Sequence, residues 1–120
     1  MPILTVELIG GPDRPPPGLA RTIASAAAPI LGSEPDGTWV RLRALGPEEY
    51  AENGDAYRGI RAAIVTILQA DPPTSAARAA EAELLCAAIA EATDRDPAHV
   101  HLIYDPPARG RIAFGGRLLT

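Results

Sequence analysis

Cysteine occurs once, at Cys86, so no disulfide can close within the chain, and a lone thiol suits a reducing compartment. Its neighbours Leu84, Leu85, Ala87 and Ala88 predict a buried, inert thiol. Large core-filling side chains are scarce as well: there is one Trp, one Phe and one Met, and alanine does most of the helical filling. A core of that kind buries little area per residue, so association between copies is expected to supply what one chain lacks. A basic excess is absent. The net charge of −4 and an isoelectric point near 5.1 argue against a general nucleic-acid binder, which needs a cationic face. No apolar run approaches the ~18 residues of a membrane span. The amino terminus lacks the basic flank and long apolar stretch of a secretory signal, so a cytoplasmic location is expected.

Hydrophobic residues make up 47% and charged residues 22% of 120, which suits one domain over 1–120. Residues 3–9 read as a strand, with Leu4, Val6 and Leu8 alternating against Thr5 and Glu7. Gly10 to Pro17 is a turn-rich break. Residues 18–31 read as a helix with Leu19, Ile23, Ala26, Ala27 and Ile30 on one stripe, and Pro29 kinks or closes its last turn. Thr38 to Ala44 is a second strand. The order then returns. Ala63 to Gln69 reads as a strand, Asp71-Pro72-Pro73 as a break, and Thr74 as a cap. The helix that follows, Ala76 to Thr93, has an expected stripe of Ala77, Ala80, Leu84, Ala88 and Glu91, flanked by Leu85 and Ile89. Asp96-Pro97 turns into a last strand, His99 to Tyr104.

Laid over each other at an offset of about sixty residues, the halves match Val40 with Val100 and Leu42 with Leu102. The chain is thus a strand–helix–strand unit present twice, over about 2–54 and 61–120. Right-handed crossovers then predict an α+β fold: a four-stranded sheet with both helices on one face. The other face is left open. Trp39, Arg41 and Arg43 point to it from the second strand, and His99, His101 and Ile103 from the fourth. It reads as a surface between subunits with a polar interior. His99 and His101 share that face without a third ligand, so no metal site is expected; no cofactor is expected either.

Pro2 stands directly behind Met1 and directly in front of the first apolar run. A small second residue favours removal of the initiator methionine, which leaves Pro2 with a free secondary amine. Held in a sheet and partly desolvated, such an amine has its charged form disfavoured and becomes a base near neutral pH. Proline is also a good strand-start residue, and position alone leaves both readings open.

The opening Met1-Pro2-Ile3-Leu4-Thr5-Val6, the doubled unit, and the closing Ala98-His99-Val100-His101-Leu102-Ile103 with Gly110-Arg111-Ile112-Ala113-Phe114-Gly115-Gly116 together resemble the tautomerase superfamily of 4-oxalocrotonate tautomerase and macrophage migration inhibitory factor. The resemblance covers nearly the whole chain. It implies a homotrimer of barrel-like form, with active sites between subunits and the terminal proline as catalytic base. One working site per chain is expected, since Ala62 and Ala63 stand where a second proline would be.

The resemblance also implies substrate-binding residues. Arg41 follows Val40 where short members place a carboxylate-binding arginine, and His101 follows Val100 at the equivalent second-half position. Arg14 lies near a family arginine in the loop after the first strand. Arg43 and Arg111 are further candidates for a carboxylate, and Phe114 for the hairpin aromatic, although Ile112 occupies its usual place. Ser33 replaces a lysine of the cytokine-like members. Tyr50 and Glu52 are candidate pocket walls beside the turn signal Asn53-Gly54, with Arg58 and Arg61 following. The expected activity is keto–enol tautomerisation of a small carboxylate-bearing molecule. A hydratase, dehalogenase or decarboxylase with protonated Pro2 is the enzymatic alternative, with Glu52 or Asp55 positioning water. A trimer that only binds a small acid or another protein, and a ferredoxin-like dimer, are the non-catalytic ones.

Overall fold

A computed structural model describes residues 2–54 and 59–120. The order is β1 (Ile3–Ile9), α1 (Leu19–Leu31), β2 (Trp39–Leu45), β3 (Ala63–Leu68), α2 (Ser75–Thr93), β4 (Val100–Tyr104), β5 (Ala113–Phe114) and β6 (Arg117–Leu118). The first four strands form one sheet in the order β2-β1-β3-β4. Each unit contributes a parallel pair, β1 with β2 and β3 with β4, and the units join through antiparallel β1 and β3. This is the expected α+β sheet with both helices on one face.

Alternation decides what is buried. Leu4, Val6 and Leu8 of β1 and Ala63, Val65 and Ile67 of β3 point at the helices and are all within 4% of full burial. Ile23 and Ala27 of α1 and Leu85, Ile89 and Ala90 of α2 close the layer over them. The α2 stripe departs from expectation. Leu84 is 58% exposed, while the buried line runs through Leu85 and Ile89, with Glu81 half-buried one turn before. Alanine on every side of this helix gives the 3.6-residue period little contrast, so its phase is set by packing against the sheet and α1.

Three local expectations are corrected. Thr74 holds the cap position of α2 but its side chain makes no capping bond. His99 belongs to a short 3₁₀ turn, Pro97–His99, because the Asp96 carboxylate accepts from Ala98 N–H and starts that turn before the strand. Cys86 is half-buried rather than buried; its thiol donates to the Val100 carbonyl at 3.3 Å, and burial pushes its pKa up, which disfavours the thiolate. Pro29 lies inside α1, and the helix ends two residues later at Leu31, capped by left-handed Gly32. The terminal hairpin is present: β5 and β6 pair across Gly115 and Gly116, both at positive φ as a two-residue turn requires.

Candidate active site

Pro2 precedes β1, one of the two inner strands, and is buried. Its carbonyl accepts from Trp39 N–H at 3.0 Å, which ties it to β2. The C-terminal segment then frames it. Asp105 N–H and Ala108 N–H bond to the Ile67 and Gln69 carbonyls along β3, at 2.9 and 2.8 Å. From there the chain reaches β2, where Phe114 meets Trp39 edge to face with ring centroids 5.5 Å apart. Since β1 lies between β3 and β2, the segment passes the end of β1 at which Pro2 stands. Arg109 pairs with Asp71 through two hydrogen bonds of 2.7 and 2.6 Å and also donates to the Thr120 carbonyl. The Arg109 guanidinium holds the Asp71 carboxyl below its usual range. Arg111 donates to the Pro106 carbonyl at 3.2 Å.

On the helix side of the same corner lies a polar cluster that sequence reasoning missed. The Tyr104 hydroxyl donates to Glu81 Oε1 at 2.9 Å, and Gln69 Nε2 reaches the same oxygen at 3.5 Å. The Arg78 guanidinium sits over the Tyr104 ring, 5.4 Å from its centroid. Burial, then the bond to Glu81, raises the Tyr104 pKa far above its ordinary value. A signal existed: Gln69 extends the inward series Ala63, Val65, Ile67, and a polar residue at an inward position demands a partner.

The remaining candidates lie elsewhere in the chain. Arg41 is on the open face and donates to Thr5 Oγ1 at 2.8 Å, while Arg43 pairs with Glu7 at 2.6 Å. His101 pairs with Ile64 in the Glu7 row of the same face, at the opposite edge of the sheet from Arg43 with two strands between them. Arg14 is exposed in the loop after β1, and Tyr50 donates to Glu52 beside a small hollow lined by Ile9, Leu45 and Pro47. Those two stand at the opposite end of β1 from Pro2, about 23 Å away at strand rise over its 7 residues. Within one chain, then, Trp39, Phe114 and Arg109 lie at the Pro2 end of the sheet, on the segment that also carries Arg111, and Arg14, Tyr50 and His101 do not. Asp55 and Arg58 fall outside the described residues.

No family model and no curated protein matches the sequence. Solved structures do match the fold. A fused 4-OT described as a wild-type symmetric trimer superposes with a TM-score of 0.74 at 18% identity, covering 98% of this chain and 94% of that one. The chain shares the fold of fused 4-OT, two strand–helix–strand units in one chain. Macrophage migration inhibitory factor from Oncomelania hupensis matches with a TM-score of 0.75 at 16% identity over 100% of this chain and 83% of its own. Malonate semialdehyde decarboxylase FG41, inhibited by 3-bromopropiolate, matches at 0.70 and 15% identity over 94% of this chain and 88% of its own.

Proposed function

We propose that this protein is a keto–enol tautomerase of small carboxylate-bearing molecules, working as a homotrimer of single-domain chains with Pro2 as general base. One observation carries the reading: in a fold shared with fused 4-OT, Pro2 immediately precedes an inner strand, is buried, and has its carbonyl held by the N–H of Trp39, whose ring meets Phe114. Removal of Met1 turns an amide nitrogen, which cannot take a proton, into a secondary amine that can. The neutral amine takes a proton from the carbon next to a carbonyl, and the electron pair left behind forms the enolate. Pro2 then returns the proton to the far end of the enolate system, so no group is gained or lost. General-base catalysis of this kind works best with a pKa near the operating pH. Arg111, or Arg41 or Arg43 of a neighbouring copy, holds the carboxylate, and His101 of a neighbouring copy donates to the developing oxyanion. The separations within one chain support a site shared between copies, because Arg14, Tyr50 and His101 lie too far from Pro2 to serve it from the same chain.

The test is Pro2→Ala against a panel of enolisable 2-oxo acids, with intact mass measured first to establish loss of Met1. Turnover should fall by about a hundredfold or more, and full activity in Pro2→Ala sinks the assignment. A second reading has an observation of its own. Asp71, kept ionised by Arg109, lies two residues beyond Gln69, close to the Pro2 corner. Such a carboxylate can orient water for hydration or decarboxylation with Pro2 protonated. A Pro2 amine titrating well above neutrality selects that branch.

A further inference from the structure

Gln69 is 9% exposed and continues the helix-facing series of β3. Its Nε2 reaches Glu81 Oε1, which already receives the Tyr104 hydroxyl. A carboxylate accepts and does not donate, so the amide cannot be turned over, and Gln69 Oε1 is fixed as the free end. That oxygen is buried and has no hydrogen-bond partner among the described residues. Leaving a buried acceptor unpaired costs about 1–3 kcal/mol.

The ladder identifies what stands opposite. β1 and β3 pair Ile3 with Leu68, so the next step outward sets Pro2 against Gln69. Ile9 N–H bonds to the Ala62 carbonyl across the same ladder, and bonded and non-bonded pairs alternate along it. Pro2 and Gln69 are therefore a non-bonded pair, the kind whose Cα atoms approach to about 4.5 Å and whose side chains lie closest. The Pro2 carbonyl agrees, being turned the other way toward Trp39 N–H.

We propose that Gln69 is a positioning residue for Pro2: after Met1 is removed, the imino N–H is donated to Gln69 Oε1. The inference rests on the reading of Pro2 as a terminal base. A neutral secondary amine has one hydrogen and one lone pair beyond its bonds to Cα and Cδ. With the hydrogen held by Gln69, the lone pair is directed to the remaining side, where the substrate carbon arrives. Glu81, steadied by the Tyr104 hydroxyl, holds the amide in its one workable orientation. The other charged groups at this corner are Arg78 on α2, Asp105 and Arg111 on the C-terminal segment, and the Asp71–Arg109 pair.

Gln69→Met keeps the volume and removes the acceptor. In the folded variant kcat should fall about tenfold or more with KM little changed, as lost orientation predicts. The Pro2 amine, followed by ¹⁵N-proline NMR, should titrate at lower pH, because a hydrogen bond favours the charged amine more than the neutral one. An unchanged kcat and an unchanged amine titration overturn the role. A crystal structure of the processed wild-type protein decides the matter even if Gln69→Met does not fold. Pro2 nitrogen within about 3.2 Å of Gln69 Oε1 supports it, whereas an ordered water on Oε1 with the nitrogen beyond about 4 Å overturns it. Retained Met1 or an active Pro2→Ala strikes at Pro2 itself; an inactive Pro2→Ala beside a normal Gln69→Met removes only Gln69.

Discussion

Tyr104 shows how one inward polar group organises its surroundings. Its ring packs against the core while its hydroxyl reaches the Glu81 carboxylate. The phenol stays protonated far above pH 10, because burial and an adjacent negative charge both oppose the phenolate. The folded pKa is raised, so the associated stability is present below pH about 10 and is lost as pH climbs toward the folded value. In a spectrophotometric titration one of the three tyrosines should ionise late, and Tyr104→Phe should abolish that late phase. The same variant should lose about 1–2 kcal/mol in denaturant unfolding at neutral pH, the hydrogen bond to a charged acceptor being removed. A late phase that survives the substitution would assign it to Tyr50 or Tyr57 instead.

Helix α2 separates readable pattern from packed reality. Its length and its boundary near Thr93 follow from a run of good helix formers, and both were legible. Its buried face was not. With alanine at so many positions, several stripes look equally apolar, and Leu84 and Leu85 compete as neighbours for the inward position. Packing on the sheet selects Leu85, Ile89 and Glu81, which is also what brings Glu81 to Gln69 and Tyr104. Leu85→Ala should therefore cost about 2–5 kcal/mol, whereas exposed Leu84→Ala should stay within about 0.5 kcal/mol in the isolated chain. Equal losses in urea unfolding would show the assigned phase to be wrong. The strands were easier, because a period of two needs only alternation, and each boundary fell within a residue of expectation.

The open side of the sheet concerns the assembly. Ile3, Thr5 and Glu7, Trp39, Arg41 and Arg43, Ile64 and Thr66, and His101 and Ile103 share it, since paired residues across a sheet point the same way. Ile103 and Trp39 are 51% and 45% exposed there, more than apolar side chains of that size usually are in an isolated chain. The proposed trimer covers this face and carries Arg14, Tyr50 or His101 toward a neighbour's Pro2. Light scattering should give about three times the 12.5 kDa chain mass, and Ile103→Glu should shift it toward one, through the cost of burying an unpaired carboxylate. Activity should fall with the trimer. A fully active monomer would sink the shared site.

Local pattern determined a great deal: two strand–helix–strand units, the inward and outward sets of β1, β2 and β4, the Gly115-Gly116 hairpin, and Pro2 as the residue to watch. All of these depend on residues a few positions apart, where steric periodicity acts directly. The path of 105–120 past Pro2, the pairing of Asp71 with Arg109, the phase of α2 and the facing of Pro2 by Gln69 needed the folded chain. Each joins segments tens of residues apart, and register and packing are settled by the sum of many weak contacts that no single stretch of sequence contains.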